Sequence, residues 1–478
     1  MHPDFSPDDF EQTLARVSHM AADYLRGLPD RPAFVRPPDD VIARFERAPL
    51  PLEGTDAATI LADLERDVLP YSLGIGHPRW WGYIRGSAAP MGMAADLLAA
   101  TMNNNCAGSA QIATWVEMCV MRWLAELVGY ELSAGGILLS GGSAANFVAL
   151  AAMRERLLPG SRKTGLGQLG IRPAVYVTHE THSSIRRAVE MLGLGDDSLR
   201  LVPMRGRVFD IKALRAAIAR DRADGCLPLC VVGTAGTVNT GAIDPLAELR
   251  KVGDDEGLWL HVDGAYGAAL RSLPELADHY RGMELADSLT MNPHKWLYVP
   301  YEAGAVLVKD RNALTQAFAT KADYLEVEDN DWYNGPLWYH QQGPQLSRAF
   351  RALKVYAVMR RMGLKGYHEL WRHDLAMAAE LRRQVAAHPR LELVGETDLS
   401  IVCFRYLPTS GHADAINKKL VDRLQKDGRV FLSGTTVDGI YCLRACIVNA
   451  RTEMPDIAVA VEVVVELGGK AEGREGGK

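Results

Sequence analysis

Apolar positions along the 478-residue chain fall into three regimes. Residues 1 to about 70 carry apolar side chains at helical spacing, interrupted by proline-rich joints at RPAFVRPPDD and at 48–54 (APLPLEG). That pattern predicts amphipathic helices that need an apolar surface to lie on, either their own domain's or a partner subunit's. From about 85 to 310, short apolar runs at 136–139, 174–177, 229–232, 259–262 and 305–308 alternate with stretches of helical period such as 210–220. Buried strands alternating with helices predict a parallel α/β sheet. Beyond residue 360, helical patterns at 367–388 and 414–427 interleave with strand candidates at 401–406 and 439–448, which predicts a smaller α+β domain. The end, 468–478 (GGKAEGREGGK), has almost no apolar content and is expected to be disordered. The expected division is therefore an N-terminal helical arm over 1–84, a large α/β domain over 85–360, a small domain over 361–467 and a tail.

Composition narrows the function classes. The chain is 48% hydrophobic and 23% charged, ordinary for a globular protein with a large core. Its 53 Lys and Arg against 59 Asp and Glu leave a formal charge of −6, so the basic excess needed to grip a phosphate backbone is missing and nucleic acid is not an expected partner. No run approaches 18 apolar residues, and the start MHPDFSPDDF lacks the basic-then-apolar order of a secretory signal, so no membrane partner and a cytoplasmic location are expected. Seven cysteines scattered through so long a chain do not read as a disulfide framework. The pairs Cys226/Cys230 and Cys442/Cys446 lack histidines at zinc spacing and read as core residues, with no metal site expected.

Ligands of open α/β sheets lie beyond the carboxyl ends of the strands, and four such ends stand out. After GGILLS, the small residues Gly141, Gly142 and Ser143 open a helix whose free N–H groups suit an anion, though a plain tight turn explains them as well. After AVYVT comes His179-Glu180-Thr181-His182-Ser183-Ser184, a polar cluster. After LWLHV comes Asp263, followed by Gly264-Ala265-Tyr266-Gly267; it is either a buried acid in need of a donor or a helix cap. The fourth end is Asn292-Pro293-His294-Lys295-Trp296, in which a lysine among apolar and aromatic neighbours is placed to have its pKa depressed, or merely snorkels. Together these four match the needs of pyridoxal phosphate: an amine for its Schiff base, an acid for its pyridine nitrogen, an anion cradle and a flat ring for stacking. Lys295, Asp263, the Gly142-Ser143 turn and His182 supply them.

On these motifs the chain resembles the group II pyridoxal-phosphate-dependent amino acid decarboxylases, the aromatic-L-amino-acid, glutamate and histidine decarboxylases. The likeness spans about 76–452 and rests on Asn292-Pro293-His294-Lys295-Trp296, on HVDGAYG at 261–267, on THSS at 181–184, on GHPRWW at 76–81 and on FRALK at 350–354. It implies the type I fold of these enzymes: a large domain with a mostly parallel seven-stranded sheet, a small C-terminal α+β domain and an N-terminal helical arm used in dimerisation. It implies that Lys295 forms the Schiff base, Asp263 bonds the pyridinium N–H, His182 stacks on the ring and Ala265 packs on its other face. Gly142, Ser143, Asn292 and His294 would surround the phosphate, and Thr237 would approach the cofactor, although Val238 stands where the family often has a second hydroxyl. A mobile lid over 324–345 would bring Tyr339 to return a proton after carbon dioxide leaves, a task that His182 could share. A surface loop packed on the partner through Trp332, Trp338 and Tyr339 is the alternative.

The reaction implied is decarboxylation of an L-amino acid by a homodimer whose site lies at the subunit interface. For the substrate pocket the resemblance points to Tyr83, Arg85, Gly86, Asn103 and Asn105, with Trp80, Trp81 and Asn104 nearby. Aromatics at 80, 81 and 83 favour an aromatic substrate, while Arg85 could instead pair with the side-chain carboxylate of an acidic one or face solvent. Arg348 and Arg444 are further carboxylate candidates, with packing as their alternative. An aldehyde synthase or a carbon–carbon lyase would use the same Lys295, Asp263 and His182, and a degenerate cofactor-binding scaffold is the non-enzymatic reading.

Overall fold

The computed structural model describes residues 6–320, 332–409 and 411–473. The chain divides into two compact units, the larger made of Ile84–Leu375 with Glu396–Ile401, the other of the residues up to Tyr83, Ala376–Gly395 and those from Val402 on. The expected boundary at 360 thus falls at 375, inside a long helix, Arg351–Ala387, whose only non-helical residue is Gly363. The N-terminal segment is not a separate body; it clusters with the C-terminal sheet.

In the larger unit seven strands form one sheet: β1 (Gly135–Leu139), β2 (Pro173–Val177), β3 (Leu199–Leu201), β4 (Leu227–Thr234), β5 (Trp259–Asp263), β6 (Ser288–Met291) and β7 (Gly304–Val308). Their spatial order is β1-β7-β6-β5-β4-β2-β3, and only β7 runs against the others. The apolar runs read from the sequence lie within β1, β2, β4, β5 and β7. β5 and β7 are buried along their whole length, as strands covered on both faces must be. Helix Gly142–Leu157 lies on the sheet through Val148, Ala149, Ala152 and Met153, which share one core with Ile137, Val175, Val232 and Val306. In register, Thr234 of β4 and Thr290 of β6 flank Asp263 of β5, so three carboxyl ends finish side by side.

The other unit holds a four-stranded sheet of β8 (Leu391–Leu393), β9 (Ile401–Tyr406), β10 (Ser433–Val437) and β11 (Ile440–Cys446), ordered β8-β9-β11-β10. Helices Ala413–Asp427 and Met454–Gly473 share its core. The latter helix runs to residue 473, six residues into the segment expected as tail, and buries Leu467 and Ala471. Residues 33 and 79–80 of the N-terminal chain find an apolar surface here, whereas its helices Pro7–Arg26, Asp39–Arg47 and Ala57–Asp67 leave Phe10, Val17, Phe45, Ile60 and Leu64 exposed. Trp80 stacks on Phe431 at 5.0 Å, Ala33 is fully buried beside them, and Arg79 pairs with Asp456 at 2.7 Å. Arg444, a carboxylate candidate, donates to the backbone oxygen of Tyr83.

β1 is an edge strand, and its unpaired side is closed by a buried ion pair. Glu117 accepts from Leu138 N at 3.0 Å, while Arg348 donates to Leu138 O at 2.9 Å and to Glu117 at 2.5 Å. Arg348 therefore completes a strand edge that would otherwise template aggregation, which accounts for this arginine without a substrate. Both side chains are almost fully buried, so removing one leaves the other charge uncompensated. Glu117→Ala is expected to lower the unfolding free energy by about 3–5 kcal/mol in urea titration, and pairing it with Arg348→Met to recover part of that loss. A single variant of wild-type stability would refute this account of the edge.

Candidate active site

Four strand ends of the larger unit converge as the sequence suggested. The turn after β1 brings Gly142 so close to Asn292 that a Cβ there would meet the amide nitrogen at 2.8 Å, so the close approach requires glycine. Helix Gly142–Leu157 starts at this point with no side chain capping its first N–H groups. Asn292 Oδ1 is buried without a partner inside the chain. An uncapped helix N-terminus is an anion-binding arrangement, whereas the bare Asn292 oxygen is an acceptor that calls for a donor.

After β2, a hydrogen bond from Thr178 N to Thr181 Oγ1 shapes the turn that presents His182 as the cap of helix Ser183–Met191. His182 Nδ1 lies 2.7 Å from Ser184 Oγ and accepts from Ser184 N at 3.2 Å. The surrounding walls lower its pKa below the usual imidazole value, Asp263 opposing and Lys295 adding to the effect. His179 is exposed and takes no part.

Asp263 ends β5, buried. Its Oδ2 accepts from Asn146 Nδ2 at 2.9 Å and its Oδ1 from Ala265 N at 3.1 Å. It is thus a donor-bound buried acid at a strand end, not a helix cap. After β6, Lys295 N donates to Asn292 O, and the half-buried lysine is backed by Trp296, which stacks on Tyr266 at 4.7 Å and donates to Asp374 at 2.7 Å. Gly86 packs on this turn so tightly that a Cβ would lie 1.9 Å from Lys295 O. Arg85, next to it, acts electrostatically on Tyr301, whose ring is 4.5 Å from that of His294. Burial, then the charge of Lys295, depress the His294 pKa to about 3, and its Nδ1 accepts from Ala303 N.

Two site residues were missed from sequence. Asn146 bonds Asp263, Ser184 and, through Oδ1, His261 Nε2 at 3.0 Å; His261 in turn lies 2.9 Å from Ser288 Oγ. The signals were available: Asn146 is a lone amide in an apolar helix, and His261 shares the face of Asp263 two residues away.

Other candidates are engaged otherwise. Thr237 is buried, but its hydroxyl is committed to its own loop, bonding Thr240 and Ala242 N. Asn103 caps helix Pro90–Met102 in the left-handed conformation, and Asn105 Oδ1 accepts from Arg348 N. Tyr339 is buried in the core with its ring 4.8 Å from the Arg348 guanidinium, at the β1 edge. Three strand spacings, about 14 Å, separate β1 from β5. On this chain Tyr339 is therefore a core aromatic and not a lid residue over Asp263. Counting back from an anchor motif could not foresee this, because the ring's burial beside Arg348 depends on contacts far apart in sequence. Residues 324–331 of the expected lid lie outside the described residues, and Tyr83 belongs to the other unit.

A model of the pyridoxal-dependent decarboxylase conserved domain matches residues 38–407. The chain belongs to this family. An aromatic-L-amino-acid decarboxylase of Bacillus atrophaeus is 30% identical over 473 residues, covering 96% of either chain. A phenylacetaldehyde synthase of a Rosa hybrid cultivar is 28% identical over 484 residues, covering 96% of this chain and 93% of its own. The crystal structure of Oryza sativa TDC with PLP and tryptamine superposes with a TM-score of 0.90 at 27% identity, over 98% of this chain and 99% of that one.

The residues present in this decarboxylase fit pyridoxal phosphate. The uncapped helix N-terminus suits its phosphate, Asp263 its ring nitrogen, Lys295 its aldehyde, and His182 and Ala265 its ring. Among the described residues no cluster of three or more His, Cys, Asp or Glu could hold a metal ion, and no helix is long and apolar enough to cross a membrane.

The depressed imidazole of His294 makes a testable demand. The unfolded chain takes up a proton here near pH 6.5 and the folded chain only near 3, so stability falls as pH drops below about 6.5. Between pH 6.5 and 5 this one group contributes about 2 kcal/mol of that fall. Urea unfolding of cofactor-free protein is expected to show a correspondingly smaller loss in His294→Gln; equal losses in both proteins would refute the assignment.

Proposed function

We propose that the protein decarboxylates an aromatic L-amino acid to its amine and carbon dioxide, acting as a homodimer. The observation that carries the chemistry is the half-buried Lys295 on the turn after β6, beside the buried Asp263 held by Asn146 at the end of β5. When bound, pyridoxal phosphate supplies an electron sink for the pair left behind by the departing carboxylate. Asp263 holds a proton on the ring nitrogen, which keeps that sink effective. Lys295 would supply the amine that anchors the coenzyme's aldehyde. Trp296, next in the chain to Lys295, is held by its stacking on Tyr266, and the helix N-terminus would orient the phosphate.

The aromatic preference draws on the relatives, an aromatic-L-amino-acid decarboxylase and a TDC crystallised with tryptamine. A second reading, an acidic substrate, draws on Arg85, whose charge reaches Tyr301 beside His294. The dimer draws on helices Pro90–Met102 and Ile112–Leu127, which expose Leu97, Leu98, Met102, Ile112 and Trp115.

A panel of aromatic and acidic L-amino acids, assayed for carbon dioxide, amine, aldehyde and peroxide with added pyridoxal phosphate, tests the proposal. Carbon dioxide and amine from aromatic substrates are expected; aldehyde with peroxide would move the chain to the synthase branch, and turnover of acidic substrates alone would favour the second reading. Lys295→Ala should abolish turnover and borohydride-fixed coenzyme, and Asp263→Asn should lower kcat about a hundredfold or more. Full activity in either variant would overturn the mechanism.

A further inference from the structure

Six side chains form an unbroken line of hydrogen bonds beneath the site: Trp259, Ser288, His261, Asn146, Ser184 and His182. All but His182, which opens to the site, are buried. The directions of the bonds from Asn146 to Trp259 follow from two fixed points. Asp263, as a carboxylate, accepts and does not donate, so the amide nitrogen of Asn146 faces it at 2.9 Å and the amide oxygen is turned to His261. His261 Nε2 must then donate to that oxygen at 3.0 Å. Burial holds His261 neutral by pushing its pKa well down, so its Nδ1 is bare and takes the Ser288 hydroxyl proton at 2.9 Å. The indole N–H of Trp259, which can only donate, reaches Ser288 Oγ at 2.8 Å and fits the same direction from the far end.

The other arm of Asn146 runs toward the site. Its second N–H donates to Ser184 Oγ at 2.8 Å. Ser184 has one proton, and its remaining partner is His182 Nδ1 at 2.7 Å, a nitrogen that also receives Ser184 N–H at 3.2 Å. The backbone N–H of Ser184 can only donate, so Nδ1 carries no proton and the Ser184 hydroxyl donates to it as well.

We propose that Asn146 is a positioning residue that, through this one-way chain, both orients Asp263 and fixes the tautomer of His182, with Nδ1 bare and the proton on Nε2. His182 thereby meets the site as an N–H donor and not as a base. That consequence for turnover rests on the decarboxylase reading above, but the tautomer does not, because every bond in the chain is made by the protein alone.

The test is nitrogen NMR of protein labelled with 15N-histidine at pH 8, cofactor-free and with pyridoxal phosphate added, with the His182 signals assigned by their loss in His182→Gln. Wild-type protein is expected to give a bare Nδ1 and a protonated Nε2 in both forms. Ser184→Ala and Asn146→Ala remove the donor or its restraint, and should move the Nδ1 shift part-way toward that of a protonated nitrogen, while Ser184→Thr, which keeps the hydroxyl, restores it. A protonated Nδ1 in wild-type protein overturns the proposal, and so does an Nδ1 unmoved in both alanine variants. Should the amino acid panel yield no carbon dioxide while this pattern holds, the decarboxylase reading fails and the tautomer assignment stands.

Discussion

A carboxylate buried at the end of a strand is the constraint around which this protein is arranged. Water would hydrate Asp263 far better than the interior does, so the fold must surround it with donors or lose the charge. Asn146, projecting from the helix laid across the sheet, and the backbone N–H of Ala265 meet that need. The requirement spreads outward. An amide that turns its nitrogen to Asp263 must place its oxygen somewhere, and His261, Ser288 and Trp259 accommodate it in sequence. One acid thus specifies a polar seam through an otherwise apolar layer, and the seam ends on the ring of His182.

Close backbone approach holds the remaining parts. Gly142 lets the helix N-terminus touch Asn292, and Gly86 lets its chain lie against the carbonyl of Lys295. Neither contact involves a reactive group, yet each brings an element from a distant part of the sequence up to the lysine turn. Behind that turn, Trp296 and Tyr298 share Asp374 as their acceptor, a buried acid that serves rigidity where Asp263 serves chemistry. The same residue type has two roles because its surroundings differ: Asp374 is enclosed by aromatic donors, whereas Asp263 stands at the sheet's open carboxyl edge.

At the other side of the sheet the polar cluster of Glu117, Arg348 and Tyr339 has a different logic. There the unsatisfied groups are those of an edge strand, and the ion pair closes the hydrogen bonding of Leu138. A cation over an aromatic ring in this position stabilises the edge. Asn105, whose side chain binds Arg348 N, belongs to the same assembly. The candidates read from sequence therefore sort into two sets on one chain, those gathered around Lys295 and those gathered around Arg348.

Strand-end chemistry was legible in the sequence because it is local. A buried strand announces itself by a continuous apolar run, and the residue that follows it is placed by the strand alone, which is why Lys295, Asp263, His182 and Gly142 could be read in one dimension. The alternation of runs and helical periods likewise determined a doubly covered parallel sheet and a second α+β unit. What the sequence could not decide were outcomes of contacts between distant segments. Asn146 gains its meaning only when its helix crosses β5, Tyr339 and Asn105 are drawn to Arg348 by its charge and its N–H, Thr237 turns its hydroxyl into its own loop, and the N-terminal chain packs with residues near 431 and 456. Periodicity reports whether a residue is buried, but a polar side chain's role depends on which donor or acceptor the tertiary structure places within about 3 Å of it.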